Sequence, residues 1–106
     1  MNKLVLISLV LLTVGCASTS QKNAINLAHS NFLDGDYQST LKHIIEAEQE
    51  RKLTDEQKAE LIYLKAQAYE GLGHREEAEG LYEYLKQEHP NSQYGYLANK
   101  MLESSN

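Results

Sequence analysis

Four histidines (His29, His43, His74 and His89), a single cysteine (Cys16) and two glutamate-rich stretches are the side chains of this 106-residue chain best suited to chemistry. Histidine and cysteine are the usual protein ligands of zinc, and a zinc-hydrolase helix carries two histidines one turn apart with a glutamate beside the first. No such pair occurs here, so a zinc site would need histidines and carboxylates brought together from different helices. With one cysteine, every intrachain disulfide and every multi-cysteine zinc or iron–sulfur site is excluded. Asp34-Gly35-Asp36 has the composition of a calcium loop, but its glycine stands in the wrong place and no glutamate closes the loop. A turn followed by a helix cap is the reading that fits. Glu46, Glu48 and Glu50, then Glu76, Glu77, Glu79 and Glu83, fall opposite or beside apolar stripes, which makes them solvated faces rather than paired catalytic acids. No glycine-rich phosphate loop and no serine or cysteine nucleophile motif is present. The residues point away from an enzyme, with no catalytic residue, no metal and no small-molecule cofactor expected.

The elements that would position these side chains divide the chain in two. Eleven of residues 1–16 are hydrophobic and one is charged, Lys3; nearly all of the 10 Lys+Arg and 15 Asp+Glu lie beyond them. Removing the first 15 residues leaves a net charge of −6, which disfavours nucleic acid, since phosphate neutralisation needs clustered cations. From Lys22 onward Ala, Leu, Glu, Gln, Lys and Tyr dominate and valine is absent, which predicts helices and no sheet.

The apolar spacing predicts five of them. Ala24, Leu27, Ala28 and Phe32 mark the first, which stops near Asp34-Gly35, where glycine admits a positive φ. Asp36 caps the second, with Leu41, Ile44, Ile45 and Ala47 on its buried stripe and an end near Arg51. Thr54 and Gln57 form a capping box for the third, whose stripe is Leu61, Ile62, Ala66, Ala68, Tyr69 and Leu72, and Gly73 ends it. The fourth runs from about Arg75 through Ala78, Leu81, Tyr82 and Leu85 to Pro90. Ser92 opens the fifth, carrying Tyr94, Leu97, Ala98, Met101 and Leu102.

Met1-Asn2-Lys3 followed by the apolar run Leu4–Val14 reads as a signal peptide over residues 1–15, since a membrane-spanning helix needs ~20 apolar residues. Leu12-Thr13-Val14-Gly15-Cys16 resembles the lipobox of bacterial lipoproteins, with Thr13 where leucine is more usual. The resemblance implies that Cys16 becomes the mature N-terminus and carries a thioether diacylglycerol and an N-acyl chain. Residues 16–21 then form the lipidated cysteine and a short polar tether, with an extended reach of ~17 Å. Ala17 and Ser18 stand where an aspartate is associated with inner-membrane retention in such proteins. The resemblance therefore implies the periplasmic face of the outer membrane, with the inner membrane second.

Residues Ile62–Pro90 resemble one tetratricopeptide repeat. Ala66 and Ala78 stand at the small positions of its two helices, with Tyr69 and Tyr82 beside them, Gly73 in the turn and Pro90 at the end. A second, weaker copy lies 38 residues earlier: Ala28 matches Ala66, Gly35 matches Gly73, Thr40 matches Ala78 and Ile44 matches Tyr82. Pro90-Asn91-Ser92 through Leu102 resembles the terminal cap helix of periplasmic tetratricopeptide proteins. The resemblance implies two helical hairpins plus a cap over residues 22–104, an all-α solenoid fragment. In that family the first helix of each repeat lines a groove for a protein or peptide. Carried over, the partner-binding residues are Ile25, His29 and Phe32, with Leu33 beside them, from the first copy, and Tyr63, Gln67 and Glu70, with Glu60, from the second. The implied function is a membrane-anchored periplasmic lipoprotein that acts as an adaptor or scaffold for a protein partner. Two alternatives are a pilotin-like role for a pilus or secretin component, and a structural envelope lipoprotein that self-associates as a homodimer, since solenoids usually need ~3 repeats for stability.

Overall fold

The computed structural model describes residues 16–50 and 52–105, with side chains from residue 24 onward. Among them are five helices and no strand: α1 (Cys16–Leu33), α2 (Tyr37–Glu48), α3 (Asp55–Gly71), α4 (Arg75–Glu88) and α5 (Gln93–Ser104). The chain is all-α, as its composition predicts. Residues 1–15, read as a signal peptide, lie outside the described residues, as does Arg51; α2 ends at Glu48, a little before the end expected near Arg51.

The helix boundaries follow from particular residues. Gly35 and Gly73 close α1 and α3 with φ of 78° and 81°, a conformation that costs a residue with a Cβ. Asp36 accepts a hydrogen bond from the Ser39 amide at 3.2 Å and caps α2. Those bonds favour the carboxylate and hold the Asp36 carboxyl below its ordinary range. At α3 the capping box is complete: the Gln57 amide donates to Thr54 Oγ1 at 3.0 Å, and the Thr54 amide donates to Gln57 Oε1 at 2.9 Å. Ser92 accepts from the Gly95 amide at 2.9 Å and opens α5. The first helix departs from expectation, because it begins at Cys16 and takes in the residues read as an extended tether. No proline or glycine stands between Cys16 and Leu33 to stop the helix from extending backward. At 1.5 Å per residue the step from Cys16 to Gln21 is about 8 Å, half the reach of an extended strand.

Each helix packs on the next, and in addition α1 touches α3 and α3 touches α5, whereas α2 and α4 do not meet. Helices α1, α3 and α5 therefore form one layer, with α2 and α4 behind it. The core has two parts and α3 serves both. Leu61 and Leu64 join Ala24, Ile25, Ala28, Ile44 and Ala47 on the side of the first hairpin. Ala59 and Ala66 join Ala78, Tyr82, Leu85 and Ala98 on the other. A helix buried from two sides needs apolar residues around most of its girth, and α3 has them.

Residues 38 apart occupy matching surroundings: Ala28 and Ala66, Thr40 and Ala78, Ile44 and Tyr82, and Ala47 and Leu85 are all fully or almost fully buried. Some stripe assignments are corrected. Ile45 and Leu27 are about half exposed and Leu97 is exposed, while Thr40, Ala59 and Leu64 are buried. Thr40 is accommodated because its hydroxyl donates to the Asp36 carbonyl at 2.9 Å. Ile45 follows Ile44 and so sits about 100° round the helix from it, outside the buried sector.

Gly95 has a role that the apolar pattern does not display. It is buried in the first turn of α5, and a Cβ there would overlap the His89 carbonyl. Gly95→Ala must push α5 off the α4–α5 turn, and a loss of about 1–3 kcal/mol is expected in urea denaturation. Gly80→Ala, where a Cβ meets open space within α4, should leave stability unchanged or raise it by up to about 1 kcal/mol.

Candidate functional site

The layer of α1, α3 and α5 carries most of the residues expected to bind a partner. Glu60, Tyr63, Gln67 and Glu70 recur on α3 at intervals of three and four, so they form one stripe along it. From α1, His29 reaches this stripe, and its Nε2–H donates to Glu60 Oε1 at 2.7 Å. Both side chains are partly solvated, so this pair fixes the relation of α1 to α3 more than it stabilises the fold.

Beside the pair lies a cluster of tyrosines. The Tyr63 ring packs against Tyr82 from α4 and Tyr94 from α5, each at 5.8 Å between centroids and tilted, within the range where ring edges meet ring faces. Their hydroxyls share acidic surroundings. Burial, with Glu70 nearby, raises the Tyr63 phenol, and burial, with Glu60 and Glu56 nearby, raises that of Tyr94. Tyr82 is raised furthest, by burial first and then by Glu70 and Tyr63. Its side chain is 1% exposed, yet its hydroxyl has no partner in bonding geometry. Almost all buried hydroxyls are hydrogen-bonded, so this one stands out.

Not every expected residue stands on this face. Ile25 is 9% exposed and belongs to the core against Leu61 and Leu64, so it cannot seat a partner's side chain without moving. Phe32 is half-buried against the same cluster and lies 5.7 Å from the Tyr37 ring, where it fills the α1–α2 turn. Leu33, at the end of α1, is 84% exposed. The face is thus built from His29, Glu60, Tyr63, Gln67 and Glu70, with Tyr94 and Glu56 added. The sequence places Tyr94 on an apolar stripe, and only the α3–α5 contact brings its ring to Tyr63. Cys16 is the first residue of α1, and its side chain lies outside those described.

The remaining histidines are taken up locally. The His43 Nδ1–H donates to Glu46 Oε2 at 3.0 Å one turn along α2. His74 stacks on Tyr69, and His89 packs on Tyr84, each with ring centroids 6.0 Å apart. Among the described residues no three His, Cys, Asp or Glu side chains gather in a way that could hold a metal ion, and no helix is long and apolar enough to cross a membrane. The chain matches no family model, and neither a curated protein nor a solved structure matches it.

Two outcomes follow from the tyrosine cluster. Tyr82→Phe removes a hydroxyl that has no partner, so stability should be unchanged or higher; a loss above about 1 kcal/mol in thermal denaturation would mean that the hydroxyl is bonded. The three raised phenols also set an alkaline limit. A group whose pKa is raised in the folded state contributes stability in full below its unfolded value, about 10 for tyrosine, and loses it as pH climbs through the folded value. Helical circular dichroism should therefore hold up to about pH 10 and fall above it. Tyrosinate absorbance should show some of the seven tyrosines ionising only as the helices unfold.

Proposed function

We propose that the chain is a membrane-anchored periplasmic lipoprotein whose tetratricopeptide-like domain acts as an adaptor, holding a protein partner near the outer membrane. The observation that carries the adaptor reading is the shared face of α1, α3 and α5, where polar and aromatic side chains from three helices converge beside a buried core. Two helical hairpins with matching burial 38 residues apart, each turned by a positive-φ glycine, and a fifth helix on the second hairpin are what the repeat reading requires. The anchor rests on Gly15-Cys16 after an apolar run too short to span a membrane. A triacylated cysteine would hold the protein durably, since one acyl chain alone binds only marginally and two anchoring signals suffice. Helix α1 takes in Cys16, so an anchor on that residue would keep the domain close to the bilayer.

A second reading, self-association, is favoured by one observation: Leu27, Leu33 and Ile45 leave apolar surface uncovered on the first hairpin. Sedimentation of the full-length chain in neutral detergent separates the two, with a monomer expected for the adaptor and a dimer for the structural lipoprotein.

Mass spectrometry of the mature N-terminus tests the anchor. A triacylated Cys16 is expected, and Cys16→Ser should move the protein from the membrane fraction to the soluble one. A mature chain that starts elsewhere, or a Cys16→Ser variant that stays with the membrane, would contradict the anchor.

A further inference from the structure

The adaptor reading leaves the partner's chemistry open, and the electrostatics of the face narrow it. Glu70 lies near the Tyr63 and Tyr82 hydroxyls, and Glu60 and Glu56 lie near that of Tyr94. Among the described residues the ion pairs within 4.0 Å are His29–Glu60 and His43–Glu46, so none of the described lysines or arginines pairs with these carboxylates. Arg75 shares a shallow hollow with Glu70 at the α3–α4 turn without reaching it. Tyr63, half-buried, lies between Glu60 and Glu70 along α3, and the half-buried Tyr94 ring packs against it. A ring face beside a carboxylate suits a cation.

The Tyr82 hydroxyl adds a second observation at the same place. It is buried, it lies against Tyr63 and close to Glu70, and no acceptor stands in good bonding geometry to it. Glu70 is exposed. A cation bound over the tyrosines would draw the Glu70 carboxylate inward, and the hydroxyl would then gain the acceptor it lacks.

We infer that this face binds an extended segment of a partner protein through two lysine or arginine side chains, one paired with Glu60 and the other with Glu70. This rests on the adaptor reading. Glu60 and Glu70 are ten residues apart on α3, which places them about 15 Å apart along the helix. An extended chain advances ~3.3 Å per residue, so two cationic side chains four residues apart span the distance with little adjustment. Gln67, between them, offers a donor and an acceptor to the segment's backbone.

Fluorescence anisotropy of the full-length chain in neutral detergent tests this. The probe is a fluorescein-labelled dodecapeptide of serine and glycine that carries two arginines four residues apart. Binding is expected, and it should weaken as salt is raised. Glu60→Gln combined with Glu70→Gln should weaken binding about tenfold. Glu76→Gln combined with Glu77→Gln, which removes the same charge from an exposed turn of α4, should leave it unchanged. Tyr82→Phe should fold at least as well and bind less tightly, by about threefold. Circular dichroism shows whether each variant is folded, and Glu70→Gln alone, at an exposed position, carries the test if the double variant is not. Equal losses in the two glutamine pairs, unchanged binding in Glu60→Gln with Glu70→Gln, or no binding of the arginine peptide would overturn the inference. A photo-cross-linking residue at Gln67 in intact cells keeps its failure separate from that of the adaptor reading: a discrete protein adduct there would uphold the face as a docking surface even if the arginine peptide does not bind.

Discussion

Seven alanines with no exposed surface, Ala28, Ala47, Ala59, Ala66, Ala68, Ala78 and Ala98, set how near the helices come to one another. Interiors packed to crystal density leave little room for a larger side chain at such positions. The constraint falls hardest on α3, which supplies three of the seven and is packed by both hairpin partners and by the flanking helices of its own layer. Larger residues fill the space beside the alanines: Leu61 and Leu64 toward the first hairpin, and Tyr82 and Leu85 toward the second. With so lean a core, α3 holds the two halves of the domain together.

The same constraint produces the face. A helix packed on two sides has a narrow sector left for solvent, and on α3 that sector contains Glu60, Tyr63, Gln67 and Glu70. Because α1 and α5 approach α3 closely, His29 can reach Glu60 and Tyr94 can lie against Tyr63. Tyr82 passes from the second hairpin into this region and brings a hydroxyl that the fold does not satisfy. An unsatisfied buried hydroxyl costs stability, and a cost of that kind persists more readily where a bound partner can offset it.

Much of this architecture was legible in the sequence because it depends on local chemistry. Asp36, Thr54 with Gln57, and Ser92 are capping residues by type and spacing, and Gly35 and Gly73 stand where the chain must take a positive φ. What pattern could not show was which neighbour each apolar residue meets. Ile25 and His29 are one turn apart on α1, yet Ile25 enters the core while His29 reaches Glu60, a difference set by the position of α3. Tyr94 resembled any other residue on an apolar stripe until α5 was placed beside α3. Gly95 is required by contact with the His89 carbonyl, and no local rule of helix formation marks it. The backward extension of α1 to Cys16 was hidden for another reason, since Ser and Thr suit both a tether and a helix's first turns.

Amide hydrogen exchange of the full-length chain tests most directly whether α3 is the element on which both halves and the face depend. The central amides of α3, around Leu64 to Ala68, should exchange only through global unfolding and be the slowest in the protein, with α1 and α5 opening at lower free energy. Exchange in α3 as fast as in α1 or α5 would contradict the account, because the face could not then be held by a helix common to both cores.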